Sequence, residues 1–257
     1  MSVEPVLYSE LTPRQFRARL AAAPIAYLPL GTLEWHGEHL PLGSDGIQSQ
    51  GFFIGLARRV GGIVLPMLFA GPDMRQEHEG REYYGMDILS YPNAAPQQLI
   101  GSAYWMQQEL FEQVLDSIVA QLVRAGFKII VGHGHGPSVC AFLGRKIDWE
   151  NKYGIKALMC WREDESDGLG IQTDHAAANE TSLVMALRPD LVAMENLDPD
   201  PSVPPLGVGG DDPRVHASAD RGHRSISMEV ERMANVLEQT LAEMQKGDSC
   251  DEPPDRD

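Results

Sequence analysis

The sequence contains few basic side chains and few cysteines. Among its 257 residues, 21 are Lys or Arg and 37 are Asp or Glu, so the formal net charge is −16. A chain this acidic has no surplus of cations to neutralise phosphates, which argues against binding to nucleic acids or to anionic membranes. Its three cysteines are widely spaced and odd in number. We therefore expect free thiols in a reducing compartment rather than a disulfide framework.

Long hydrophobic runs are also missing. No stretch approaches the roughly 20 apolar residues that span a bilayer, and the N-terminal segment MSVEPVLYSE lacks the basic and apolar regions of a signal peptide. We expect a cytoplasmic protein. A hydrophobic content of 43% is enough for a substantial core. The sequence predicts a single domain over residues 1–246, followed by a short, disordered acidic tail over residues 247–257.

Short apolar runs rich in β-branched residues alternate with helical patterns. Four runs predict strands: Ile25–Leu30, Ile63–Leu68, Lys128–Val131 and Ile155–Trp161. Helices are predicted at Gly46–Val60, Pro96–Ala125, Ser138–Tyr153, His175–Leu187 and Ile226–Gln245, with a long ordered loop over Asp198–Gly222. This alternation is typical of βαβ units. We therefore expect an α/β fold with a mostly parallel sheet covered by helices on both faces.

Histidines and carboxylates follow two of the predicted strands. Glu34, His36 and Asp45 come after the first strand, in the segment GTLEWHGEHLPLGSD, and His133 and His135 follow the third, in VGHGHGPS. The carboxyl ends of parallel strands form the edge at which open sheets bind ligands, so these loops should meet at one rim. Their mixture of imidazole and carboxylate groups suits Zn²⁺, Mn²⁺ or Fe²⁺.

A further carboxylate, Glu180, falls on the apolar stripe of the helix predicted to begin at His175, with Asp174 as its N-cap. A carboxylate on a packed surface costs several kcal/mol unless it is neutralised or paired. Its partner is either a metal ion or a set of Arg, Lys or backbone amide groups. The sequence leaves both open.

Other catalytic arrangements have weaker support. The chain has no G-x-S-x-G motif to carry a nucleophilic serine. Cys140 lies close in sequence to His133 and His135, as a Cys/His hydrolase would require, but it falls inside a helical apolar pattern and is expected to pack in the core. The glycine-rich stretch GVGGDD at Gly207–Asp212 lacks the strand–turn–helix context of a dinucleotide site.

The order of these motifs resembles the creatininase family. The segment EWHGEHLPLGSD, Glu34–Asp45, is similar to the family signature E-x-H-G-x-H-L-P-L-x-T-D. Three later blocks follow in the family's order: Gly132-His133-Gly134, HAAANETS from His175, and GVGGDDPRVHASADRG from Gly207. The similarity extends from about Ile25 to Gly222, which is most of the chain.

The resemblance implies a three-layer α/β/α sandwich that hydrolyses C–N bonds of small amides at a two-metal centre. It also implies a homo-oligomer, often a hexamer. By position, Glu34 and His133 would bind one metal ion, His36 and Glu180 the other, and Asp45 would bridge them. Zn²⁺ is favoured for both ions, with Mn²⁺ or Fe²⁺ as alternatives.

We expect a metal-bridging hydroxide to attack the carbonyl carbon of a small cyclic amide or formamide. The leaving nitrogen needs a proton, for which His175 is the first choice and His135 the second. Glu180 is predicted to act in catalysis as well as in metal binding. Because His135 occupies a position where creatininases proper carry a metal-binding glutamate, creatinine itself is disfavoured as the substrate.

Three alternatives remain at this stage. Two keep the metal centre and change the substrate: deformylation of a formamidopyrimidine, or trimming of a peptide precursor as in mycofactocin-type relatives. The third is a non-catalytic metal-binding member of the family. It is suggested by Val131, Gly136 and Ala178, which depart from the family motifs.

Overall fold

A computed structural model describes residues 4–89, 97–160 and 170–250. Its strands are β1 (Ile25–Leu30), β2 (Ile63–Val64), β3 (Arg75–His78), β4 (Arg81–Tyr84), β5 (Ile88–Leu89), β6 (Gln97–Gln98), β7 (Ile129–Gly134) and β8 (Lys156–Met159). Its helices are α1 (Pro13–Ala22), α2 (Ser44–Arg59), α3 (Gln108–Ala125), α4 (Gly136–Tyr153), α5 (Ala178–Leu187), α6 (Pro213–His216) and α7 (Ala219–Cys250).

The central sheet has the strand order β2-β1-β7-β8, and its pairings are parallel. β1 and β7 pair along their whole length, from Ile25 opposite Ile129 to Leu30 opposite Gly134. From this central pair, α2 leads to β2 on one side and α4 leads to β8 on the other, so the strand order reverses between β1 and β7. The crevice outside the carboxyl ends at such a reversal is where open α/β sheets bind ligands.

Helices cover both faces of the sheet, as the sequence predicts. Successive residues of a strand point to opposite faces, and β1 is buried throughout. Ala26 and Leu28 pack with α3 and α4, whereas Ile25 and Tyr27 pack with α2 and α7. The result is the three-layer α/β/α arrangement, with one apolar core on each side of the sheet.

The strand predictions are correct in place but not always in extent. β1 has the predicted bounds, whereas β2 covers only the first two residues of its predicted run. β7 continues to Gly134, so His133 lies inside the strand rather than after it. β8 is Lys156–Met159, and Trp161, the predicted last residue of this strand, lies outside the described residues.

The helix predicted over Pro96–Ala125 begins too early. α3 starts at Gln108, because the preceding segment forms β6 and places the ring of Trp105 on that of Tyr84, with centroids 4.1 Å apart. Pro96 itself lies outside the described residues. The end of the helix is as predicted: Gly126, with φ of +105°, stops it in the left-handed conformation that glycine tolerates.

The C-terminal helix is longer than the sequence predicts. α7 runs from Ala219 to Cys250 instead of Ile226–Gln245, so the predicted loop over Asp198–Gly222 ends early and also contains α6. Residues 247–250 of the predicted tail belong to α7, and the rest of the tail lies outside the described residues. No helix in the described part of the chain, α7 included, has a stretch long and apolar enough to span a bilayer.

Candidate metal centre

The loop after β1 turns three titratable side chains inward. Gly37 adopts φ of +62°, and the Glu34 N–H donates to the Leu42 carbonyl at 3.0 Å, which closes the loop on itself. Glu34, His36 and Asp45 are all buried as a result. Asp45 lies in the first turn of α2, where the positive end of the helix dipole favours a carboxylate.

Gly134, the last residue of β7, brings the chain that follows β7 close to the start of the loop after β1. Its φ is +143°, and a Cβ at this position would lie 1.7 Å from the Leu30 carbonyl oxygen. That close approach lets the His135 N–H donate to the same oxygen at 2.7 Å. His135 therefore leaves the sheet at the point where the β1 loop begins.

The carboxylate of Asp45 lies between two imidazole rings. Its Oδ1 is 3.2 Å from Nε2 of His36, and its Oδ2 is 3.0 Å from Nδ1 of His135. The amide of Gln172 also donates to Oδ1 at 3.0 Å. Glu34 lies beside the same pair, with Oε1 3.2 Å from Nδ1 of His135. Asp45 is thus shared by two groups of polar side chains.

Three carboxylates surround one nitrogen of His36. Its Nδ1 donates to the Glu34 carbonyl at 3.1 Å, so Nε2 is the atom directed at the cluster. That nitrogen lies 3.2 Å from Asp45, 3.7 Å from Glu180 and 3.9 Å from Oε1 of Glu34. A cation or a proton must sit among these groups, because buried carboxylates repel one another.

Glu180 comes from α5, which does not begin where the sequence predicts. His175 pairs with Gly209, and Ala176 takes φ of +52°, so the helix starts at Ala178 and its N-cap position is Ala177. Glu180 has a backbone partner: its Oε2 accepts the Ala176 N–H at 2.7 Å. Of the partners considered for this carboxylate, the structure shows a backbone amide; it also places Nε2 of His36 3.7 Å away, a partner that was not considered.

Asp174 caps α5 from outside the N-cap position. Its carboxylate accepts the N–H groups of Asn179 at 2.7 Å and Glu180 at 3.0 Å. We expect Asp174→Ala to destabilise the protein by about 1–2 kcal/mol, the cost of a lost N-terminal cap. Urea denaturation would measure the change. An unaltered unfolding midpoint would show that these two bonds do not hold the start of α5.

His133 is buried in the layer between the sheet and α2. Its Nδ1 is hydrogen-bonded to Oγ of Ser49 at 2.9 Å, and its ring packs against Phe52 and Phe53. Burial lowers its pKa to about 4, so the imidazole is neutral. Its predicted role as a ligand of the ion beside Glu34 stays a prediction.

Three groups of His, Asp and Glu residues among those described have ligand atoms within 4.8 Å of one another: Glu34, His36 and His175; Glu34, Asp73 and His135; and His36, Asp45 and Glu180. They contain every predicted site residue except His133. They also contain Asp73, which sequence reasoning missed, and Gln172 contacts the cluster as well. Neither residue lies in a motif or a periodic pattern that could have indicated it.

The carboxylates of the cluster favour positive charge on the imidazoles beside them, as the pKa values show. Burial lowers the pKa of His36, but the carboxylates of Asp45, Glu180 and Glu34 outweigh this effect and raise it to about 10. Burial likewise opposes protonation of His135, yet its carboxylate partners raise its pKa to about 12. Burial raises the pKa of Glu180 well above its usual range. Bound metal ions would replace these protons as the source of positive charge.

His175 differs from the other two imidazoles. Its Nε2–H donates to the Trp35 carbonyl at 3.0 Å, and its ring stacks on His36 with centroids 4.5 Å apart. Burial lowers its pKa to about 4, and the charge of His36 lowers it further. The ring is therefore a neutral tautomer whose Nδ1 is a proton acceptor.

The cluster lines a cavity of about 370 Å³ at the carboxyl edge of the sheet. Glu34, Asp45, His135, His175 and Glu180 contribute the polar wall. The segment around the β3–β4 hairpin also lines the cavity, with the apolar side chains of Met74, Met86 and Ile88. Cavities of this size and character bind small molecules.

The prediction that Cys140 packs in the core is wrong. Its side chain is exposed on the outer face of α4, while the helix turns Val139 and Phe142 inward. His133 and His135 are both buried. A Cys/His pair with either of them has no support in this arrangement.

Fold and site together define a class: an α/β protein whose buried imidazole and carboxylate groups meet at the switch point of a parallel sheet, where such proteins bind ligands. The comparison with known families is specific. The model of the family described as "Creatininase: Creatinine amidohydrolase" matches residues 9–237. The chain belongs to the creatininase family, whose members are hydrolases of C–N amide bonds.

Known relatives agree with this membership. A creatinine amidohydrolase of Pseudomonas putida is 27% identical over 231 residues, which cover 81% of this chain and 82% of the relative. A crystal structure of creatinine amidohydrolase has a TM-score of 0.70 at 22% identity and covers 93% of this chain and 98% of its own. These values confirm the family resemblance and the fold that the sequence predicts.

Other similar solved structures carry information on ligands. One is named "Creatininase Mn", with a TM-score of 0.68, 22% identity, and coverage of 92% of this chain and 99% of its own. A mutant creatininase of "Zn-Zn type" has a TM-score of 0.69, 21% identity, and coverage of 93% and 99%. A mutant creatininase "complexed with creatine" has a TM-score of 0.69, 21% identity, and coverage of 92% and 99%.

Proposed function

We propose that this chain is a metal-dependent amidohydrolase that cleaves the C–N bond of a small cyclic amide or formamide. The observation that carries the proposal is the position of Asp45, whose two carboxylate oxygens face two different His and carboxylate groups. Members of both groups line the same small cavity. A shared carboxylate between two clusters of donors is what a pair of divalent cations requires.

The donor atoms fit two divalent cations. Imidazole and carboxylate ligands without thiolate suit Zn²⁺ and Mn²⁺. Both metals are named in solved creatininase structures of the same fold. His135 has carboxylates beside both of its ring nitrogens, with Nδ1 3.0 Å from Asp45 and Nε2 3.4 Å from Asp73.

Different residues of the chain would bind the metal ions and transfer the proton. His36, Asp45 and Glu180 would hold one ion, and the second would lie beside Glu34 and Asp45. When bound, the ions would lower the pKa of a water molecule and polarise the carbonyl group of the amide. The Trp35 carbonyl fixes the tautomer of His175, so its Nδ1 can accept a proton and pass it to the leaving nitrogen.

The size of the cavity favours a small substrate. A volume of about 370 Å³ accommodates a compact molecule, and a solved creatininase of this fold binds creatine. We therefore place cyclic amides and formamides ahead of a peptide, which needs an extended groove. The replacement of glutamate by His135 keeps creatinine as one member of a panel rather than the expected substrate.

Removal of metal tests the proposal. We expect about two metal ions per chain by elemental analysis and loss of turnover on a panel of cyclic amides and formamides after dialysis against EDTA. Zn²⁺ or Mn²⁺ should restore turnover. The melting temperature should fall on chelation, because ions that bind only the folded state stabilise it. Metal binding without turnover on any amide would favour the non-catalytic alternative, and turnover that survives complete metal removal would contradict the proposal.

The wider expectations from the sequence stay predictions. These are a cytoplasmic location, assembly into a homo-oligomer such as a hexamer, and the absence of nucleic-acid and membrane partners. Size-exclusion chromatography with light scattering would test the oligomer. The metal centre proposed here does not depend on its outcome.

A further inference from the structure

His39 is a buried histidine that the proposed chemistry does not use. The residue is 1% exposed, and its Nε2 lies 2.8 Å from Oγ1 of Thr181. A Cβ on Gly37 would lie 2.8 Å from its Nδ1, so the other edge of the ring packs closely against its own loop. The His39 carbonyl accepts the Ala193 N–H at 2.9 Å. The imidazole is therefore held in one position between the loop after β1 and α5.

Thr181 connects this imidazole to the turn before α5. The residue is fully buried, and its hydroxyl donates to the Ala176 carbonyl at 3.3 Å. Burial and the charge of His36 lower the pKa of His39 to about 4, so its ring is neutral and carries one proton. A hydroxyl also has a single proton to donate, so Thr181 accepts the hydrogen bond from Nε2 of His39.

Ala176 has a backbone conformation that alanine rarely adopts. Its φ of +52° lies in the left-handed region. Hydrogen bonds flank its Cα, because its carbonyl accepts the Thr181 hydroxyl and its N–H donates to Oε2 of Glu180 at 2.7 Å. Together they fix the peptide groups on both sides of Ala176 and oppose a return to an ordinary φ.

Glu180 depends on this turn for its orientation. The oxygen that accepts the Ala176 N–H is also the one that lies 3.7 Å from Nε2 of His36. A fixed backbone donor on this oxygen sets the angle at which the carboxylate faces the cluster. Groups that orient a metal ligand through hydrogen bonds change metal affinity by about 10- to 100-fold.

Resting on the proposed two-metal function, we infer that His39 and Thr181 are positioning residues for Glu180. Through the turn before α5, they hold its carboxylate toward the ion that it shares with His36 and Asp45. His39 comes from the loop after β1 and Thr181 from α5, so their contact joins two ligand-bearing segments that are far apart in the sequence.

Calorimetric titration of the metal-free proteins with Mn²⁺ tests this assignment. Thr181→Val removes the hydroxyl with little change in volume, so the affinity for one of the two ions should fall by about 10- to 100-fold. The affinity for the other ion should stay that of the wild type. Thr181→Ser keeps the hydroxyl and should bind both ions as the wild type does.

Two comparisons separate positioning from packing. Thr240→Val is the matched control, because the Thr240 hydroxyl bonds to the Val236 carbonyl within α7, and it should keep both affinities. Urea denaturation of every variant should accompany the titrations. If Thr181 only packs, Thr181→Val will lower the free energy of unfolding while the folded protein keeps the metal affinities of the wild type, which would overturn the inference.

His39 variants keep the test valid if Thr181→Val does not fold. His39→Leu removes the donor and should weaken binding of the same ion, whereas His39→Gln offers an amide N–H and should recover much of the loss. The double variant His39→Leu/Thr181→Val should bind this ion no more weakly than Thr181→Val alone, because both substitutions remove the same contact.

The outcomes separate the inference from the function on which it rests. Wild-type Mn²⁺ affinities in a folded Thr181→Val protein, or equal losses in Thr181→Ser and Thr181→Val, would overturn the inference while leaving a two-metal hydrolase intact. A wild-type chain that binds neither Mn²⁺ nor Zn²⁺ would overturn both.

Discussion

Replacing Asp45 with alanine is expected to abolish metal binding and hydrolysis together. Its two oxygens face Nε2 of His36 and Nδ1 of His135, so its removal takes away a carboxylate that both imidazoles share. The metal content should fall below one ion per chain. Turnover should fall by at least about 10³-fold, the scale seen when one member of a catalytic unit is removed. Elemental analysis and steady-state kinetics on the same preparation would measure both.

Glu38→Gln is the matched control for this experiment. Glu38 belongs to the same loop, but it is exposed and its backbone carbonyl, not its side chain, bonds to Asn196. Removing its charge should leave metal content and turnover near those of the wild type. An Asp45→Ala protein that still holds two ions and turns over substrate would end the two-metal proposal.

Replacing Gly134 with alanine is expected to cause the largest loss of stability. The new Cβ would lie 1.7 Å from the Leu30 carbonyl oxygen, and the φ of +143° is outside the range that alanine adopts readily. Leu30 belongs to β1, so the clash cannot be relieved without separating the central strands. We expect the free energy of unfolding to fall by about 3 kcal/mol or more, measured by urea denaturation.

Gly144→Ala provides the comparison. Gly144 is exposed in the middle of α4, and a Cβ there would contact nothing within 4 Å. Alanine at such a site should stabilise the helix by about 0.5–1 kcal/mol. Equal effects at the two positions would mean that the approach of Gly134 to Leu30 does not constrain the fold.

The sequence predicts the parts of the site that depend on local pattern. The apolar run Ile25–Leu30 marks a buried strand, and Glu34, His36 and Asp45 follow it at the edge where parallel sheets bind ligands. The structure brings these three side chains together. Helix α1 was not predicted, although the capping box that begins it, formed by Thr12 and Gln15, is a local pattern of the same kind.

The rest of the site depends on contacts between distant segments. His133 and Val131 point to the same layer because they alternate with Gly132 in β7, and an accurate end for this strand would have indicated that orientation. The start of α5 is displaced by pairing between His175 and Gly209, far apart in sequence. Asp73 reaches the cluster only through tertiary packing, which no pattern of periodicity or spacing encodes.

The segment that carries Met74, Met86 and Ile88 contributes to two small two-stranded sheets, β3–β4 and β5–β6, and in the described residues neither joins the central sheet. One wall of the cavity is therefore built by a part of the chain that adds little to the main core. Substitutions in this segment can alter the shape of the cavity while the sheet and its helices keep their packing. Such a division lets members of one lineage acquire different substrates without a matching loss of folding stability.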